Sequence, residues 1–173
     1  MYIARMQLPL IEFRNALISP DGKYRYWLER RWSGADFRSP MIVWCMLNPS
    51  TADARIDDPT IRRCIGFTNA WGYARLVVVN LYAYRATNPR ELEGLNAAEL
   101  QGPENADWLY YWTIIPSSCM VVCAWGGNRF KCVPYPPALT SMRTYCLGIT
   151  ATREPKHPLY LPASTRLQEI VPT

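Results

Sequence analysis

The chain has 173 residues, 49% apolar and 19% charged, which is the length of one ordinary domain and enough apolar material to bury a core without metals or disulfides. That balance excludes a disordered chain, and no apolar run approaches the ~20 residues of a membrane-crossing helix. Nineteen Lys and Arg against fourteen Asp and Glu give a net charge of +5, which favours an anionic partner; most of the cations are arginines, suited to bidentate phosphate contacts. The first residues lack the basic-then-apolar layout of a signal peptide, so the expected compartment is the cytoplasm, and no membrane contact is expected.

Taken in order, residues 1–40 read as an N-terminal antiparallel β-ribbon. Ser19-Pro20-Asp21-Gly22 supplies its turn, and residues 24–32 alternate Tyr24, Tyr26, Leu28 against Arg25, Trp27, Glu29, the period of a half-exposed strand at a sheet edge. A short apolar run from Met41 then empties into Asn48-Pro49-Ser50-Thr51, the pattern of a buried strand whose carboxyl end opens a loop. Asp58-Pro59 starts a helix that places Ile61, Cys64, Ile65 and Trp71 on one face and stops at Gly72. Residues 75–80 form a second buried strand ending in Asn80. Thr87-Asn88-Pro89 opens a short helix, and residues 104–115 form another with Trp108, Leu109, Trp112 and Ile115 inward.

A third buried strand, 119–124, runs into Trp125-Gly126-Gly127, where backbone can approach a ligand closely. Three prolines between 130 and 139 argue against a regular helix there. A fourth strand at 144–148 leads into a polar loop, 150–160, carrying His157, the one histidine. Strands alternating with helices indicate an α/β fold with βαβ units and a mostly parallel sheet. The expected organisation is a single domain over 1–173: ribbon to 40, α/β core 41–161, tail 162–173.

The six cysteines mostly lie within apolar runs and read as reduced core residues. Cys119-x-x-x-Cys123 with one histidine gives no zinc pattern, so neither metal nor cofactor is expected.

In open α/β sheets ligands bind beyond the carboxyl ends of the strands. Parallel order gathers Asn48-Pro49-Ser50, Asn80, Gly126-Gly127 and the His157 loop at one such edge. Asn48 can hold a water or a substrate carbonyl, or close an Asx-turn. Asn80 can read the polar edge of a base through donor and acceptor together, or act as a turn residue. His157 can donate to developing negative charge or exchange a proton, or it orders its loop. Asp58 reads as a helix cap, leaving Asp57 as the carboxylate nearer a substrate. Arg62, Arg63 and Arg85 are candidates for phosphate or nucleic-acid contacts, with surface solvation the alternative.

Tyr24-Arg25-Tyr26, MLNPSTAD from Met46, DDPTIRRC from Asp57, WGY from Trp71, VVNLYAYRATNP from Val78, AWG from Ala124 and HPLYLP from His157 closely resemble the bacterial and phage family called "domain of unknown function 1643". More distantly, Leu47-Asn48-Pro49-Ser50, Val78-Val79-Asn80 and His157-Pro158-Leu159 resemble, in order, the motifs of the uracil-DNA glycosylase superfamily. That second resemblance implies a three-layer α/β/α sandwich around a short parallel sheet. In it, Asn48 positions the attacking water, Asn80 reads the base and His157 stabilises the departing base anion. The chain departs from that superfamily at Leu159-Tyr160, which stand where Ser-Pro-Leu is usual. The expected activity is metal-independent cleavage of the N-glycosidic bond of a modified base in DNA or a nucleotide by a monomer; the alternative is a non-catalytic nucleic-acid or nucleotide-binding module.

Overall fold

The computed structural model describes residues 10–114, 119–127, 139 and 143–170. Seven strands, β1 (Ile11–Ile18), β2 (Arg25–Trp32), β3 (Met41–Met46), β4 (Arg75–Asn80), β5 (Cys119–Cys123), β6 (Thr144–Cys146) and β7 (Gln168–Ile170), form one sheet in the order β1-β2-β4-β3-β5-β6-β7. The helices are α1 (Pro59–Ala70), α2 (Ala97–Gln101) and α3 (Asn105–Ile114), with 3₁₀ turns at Pro89–Leu92 and Pro158–Tyr160. The Pro-rich stretch of the 130–139 segment, Ile115 and Cys132 lie outside the described residues.

The α/β class expected from the sequence is the one observed, but the sheet is larger and more mixed than a short, mostly parallel one. Its centre, β4-β3-β5-β6, is parallel, whereas β1/β2, β2/β4 and β6/β7 pair antiparallel. The N-terminal antiparallel ribbon expected at the sheet edge is formed by β1 and β2, but β2 is not half-exposed: it lies between β1 and β4 and nearly all its residues are buried. Two of its buried charges are paired internally: Arg75 Nε donates to Glu29 at 2.6 Å, and Arg30 Nε donates to Asp57 at 2.9 Å. Residues 162–173, read as a tail, contribute β7.

Strands β3 and β4 are buried along their whole length, as six apolar residues and then Arg75 followed by a Leu-Val run dictate. Alternation splits their side chains between two clusters. Ile42, Trp44, Met46, Leu76 and Val78 pack against Ile61, Cys64, Ile65 and Phe67 of α1. Met41, Val43, Cys45, Val77 and Val79 pack against Leu100 of α2 and Leu109 and Trp112 of α3. Full burial of each large side chain stabilises by roughly 1.5–3 kcal/mol, so both faces hold the sheet.

The expected start of α1 is observed: Asp58 caps it by accepting from Ile61 N at 2.8 Å, with Pro59 in the first turn. Trp71 just beyond its end stacks on Trp44 with ring centroids 5.7 Å apart. Because α1 leads from β3 to β4 on one side and the α3 segment leads to β5 on the other, the winding reverses at β3. Such a switch point opens a crevice at the carboxyl ends of the strands.

Candidate functional site

A cleft of about 580 Å³ occupies that crevice. Its walls include Asn48, Ser50, Asn80, Gly126, Gly127 and His157, residues that the sequence distributes over more than a hundred positions and parallel order gathers.

Asn48 is fixed by the loop after β4. Its Nδ2 donates to Ala86 O at 2.9 Å and Pro49 O at 3.1 Å, while Ala86 N donates to Pro49 O at 2.9 Å. Two carbonyls facing one end of the amide settle its orientation. Oδ1 is therefore a pre-aimed acceptor on the cleft side, with no partner among the described residues.

Asn80 sits opposite Met46 in the parallel register and is fully buried. Its backbone carbonyl accepts from Asn105 Nδ2 at 3.1 Å, yet neither Nδ2 nor Oδ1 of its own side chain has a partner. Among the described residues the only buried, unpartnered polar atoms on the cleft wall belong to Asn80 and to Arg25 Nε. Leaving a buried amide unmatched costs about 1–3 kcal/mol for each group. The side chain is thus not acting as a turn or cap residue.

His157 precedes the 3₁₀ turn Pro158–Tyr160 and caps it, its Nδ1 accepting from Leu159 N at 3.3 Å. With Nδ1 an acceptor, the neutral ring carries its proton on Nε2, a donor. Burial holds its pKa below the ordinary value, with the Asp58 carboxylate opposing that shift. The loop is stitched to the end of β5: Gly126 N donates to Pro155 O at 2.8 Å, and Trp125 Nε1 donates to Glu154 at 2.6 Å. Gly126 has φ +78°, a left-handed conformation that favours glycine, and the strand end there passes within contact distance of His157.

Other candidates fall elsewhere. Pro49 supplies only its carbonyl to the Asn48 network and is not on the cleft wall. Asp57 is turned away from the cleft, held by Arg14 at 2.5 Å and Arg30 at 2.8 Å. Arg62 donates to the Asp57 carbonyl. Arg63 donates to the carbonyls of Pro158 at 3.3 Å and of Leu161, tying α1 to the His157 loop. Arg85 donates to Gly22 O at 3.1 Å and Ser50 O at 3.5 Å. These last two arginines brace loops from inside and do not line the cleft.

The cleft also contains residues that sequence reasoning did not place in the site. Asp58 lines it while one of its oxygens caps α1. Lys156 and the 83%-exposed Tyr160 stand on the wall near the mouth, the Tyr160 ring 5.9 Å from that of His157. Arg25 lies at the inner end, 2% exposed, its Nη1 donating to Ala52 O at 2.8 Å. Its signal was hidden: strict alternation puts Arg25 with Trp27 and away from Leu28. The β1/β2 register instead passes from Leu17↔Trp27 to Ile18↔Arg25, and this bulge turns Arg25 toward the α1 face.

The five described cysteines are unbridged, and burial raises the pKa of each thiol, that of Cys123 to about 12. Thiols so shifted are poor nucleophiles at neutral pH. Among the described residues no three His, Cys, Asp or Glu side chains cluster as metal ligands, and no helix is long and apolar enough to cross a membrane.

A family model described as "Protein of unknown function (DUF1643)" matches residues 25–159, most of the chain, and the chain belongs to that family. No curated protein and no solved structure matches it.

Proposed function

For this member of the DUF1643 family we propose an N-glycosidic hydrolase acting on a modified or non-standard base, in DNA or in a nucleotide, within a glycosylase-like three-layer α/β/α architecture. The observation that carries the reading is the buried, doubly unpartnered Asn80 amide on the wall of the cleft that also holds Asn48 Oδ1 and His157. A donor and an acceptor side by side match the edge of a nucleobase, and a bound base recovers the hydrogen bonds that the empty fold leaves unmade.

The residues suit a dissociative cleavage. The glycosidic C–N bond breaks with its electron pair going to the base, and the sugar C1′ becomes cationic. Neutral His157 donates through Nε2 to the base anion, acting as a fixed dipole. The Asp58 carboxylate opposes the positive charge on the sugar. Asn48 Oδ1 accepts from a water whose oxygen bonds to C1′, and the proton that water releases neutralises the departing base. No step requires a protein nucleophile.

The alternative, a non-catalytic nucleic-acid-binding module, relied on Arg62, Arg63 and Arg85 as phosphate contacts. All three donate to main-chain carbonyls, which weakens it. The test is a panel of oligonucleotides and nucleotides carrying modified bases, scored for free base release with EDTA present. The account expects release by the wild-type chain and a loss of at least roughly 100-fold in both Asn48→Ala and His157→Ala. Unchanged rates in both variants, or activity abolished by EDTA and restored by magnesium or zinc, would overturn it.

A further inference from the structure

The two unpartnered groups on the cleft wall differ in kind. Asn80 is neutral, whereas Arg25 carries a full charge with no carboxylate in ion-pair contact among the described residues. Burial lowers its pKa to about 10, which leaves it cationic at neutral pH. The nearest carboxylates act on it only through space: Asp58 Oδ1 accepts from Ile61 N, and Asp53 Oδ1 accepts from Arg55 N and Ile56 N. A buried guanidinium without a counterion is costly, and this one is turned to the α1 face by a bulge in an otherwise regular strand.

The geometry of its donors is specific. Ala52 O takes Nη1, and Nε, on the edge it shares with Nη2, is buried without a partner among the described residues. That edge carries two parallel N–H groups, the fork that matches two oxygens of a carboxylate or a phosphate. Depth fixes which part of a ligand meets it. Arg25, Met46, Val78 and Asn80 are buried, whereas Lys156 and Tyr160 stand exposed at the mouth.

We propose that Arg25 receives an oxyanion on the inner end of the cleft's ligand, either a carboxylate borne by the base or the phosphate monoester of a nucleotide. This inference shares with the proposed function only the location of the ligand and needs no bond cleavage. A chain that binds such an anion without releasing a base would keep it and lose the hydrolase reading.

The test is calorimetric titration of the full chain with matched pairs: thymidine against thymidine 5′-monophosphate, and uracil against uracil-5-carboxylate. In at least one pair the anionic member should bind roughly 100-fold more tightly, and the pair that shows the gap identifies the source of the oxyanion. Arg25→Met should close that gap while leaving the neutral member within about three-fold of wild type. Arg25→Lys, which keeps the charge and loses the fork, should close most of it and carries the test if the methionine variant does not fold. Equal binding within both pairs, no binding by any of the four, or a gap that survives in both variants would overturn the proposal.

Discussion

At the scale of single residues, His157 and Asp58 each carry two tasks that substitution can separate. His157 is held neutral by burial, so its stabilising contribution is complete above its ordinary pKa of about 6.5 and is lost as pH falls through its lower folded value. The unfolded chain binds the proton at the higher pH, so stability rises with pH across that window. If the neutral ring is the working donor, base release should persist below pH 6.5 and fall only at more acid pH. A pH–rate profile with its acid limb above 6.5 would contradict the assignment. For Asp58, Asn is nearly as good a cap, so Asp58→Asn should change stability by less than about 1 kcal/mol. The same change removes the carboxylate from the cleft and should slow release at least ten-fold. Parallel losses of stability and rate would reduce Asp58 to a cap.

At the scale of elements, the shape of the cleft depends on loops braced from outside it. Arg63 joins α1 to the Pro158–Tyr160 turn through the carbonyls of Pro158 and Leu161, with its guanidinium 4.7 Å from the Phe67 ring centre. Arg63→Met keeps much of the aliphatic stem and removes the charge-assisted hydrogen bonds, for a loss of roughly 1.5–3 kcal/mol. Hydrogen exchange should quicken at residues 156–161 with the sheet unaffected. Uniform loosening of the whole chain, or none, would contradict the bracing role.

This arginine marks where the sequence stops being legible. The buried strands β3, β4 and β5, the start of α1 with its Asp58 cap and the positions of Asn48 and Asn80 at strand ends follow from local patterning, because buried strands and helix starts are encoded within a few residues. Which arginine faces a cleft and which faces a carbonyl is set by partners up to a hundred residues away. Arg63 therefore read as a phosphate contact although it braces a loop, and Arg25 read as an ordinary strand residue. The bulge that re-aims Arg25 shows only in the register between β1 and β2, and β2 looked half-exposed because the depth of its burial depends on β1 and β4 together.

At the scale of the whole molecule, the account holds that the fold keeps an unsatisfied amide at its centre for the sake of a ligand. The surrounding structure argues that it is not there for packing. Val78 and Met46 flank Asn80 on the α1 face and belong to the apolar cluster there. Asn80→Leu, close in volume, tests this most directly by thermal unfolding of the full chain alongside a ligand-release assay. Removing two unmatched polar groups should stabilise the chain by about 2–6 kcal/mol. At roughly 2–4 °C per kcal/mol for a chain of this size, the midpoint should rise by several degrees while base release is lost. A lower midpoint would mean that the amide supports the fold, and retained release would mean that it reads no base; either result would contradict the claim that this cleft is built around Asn80.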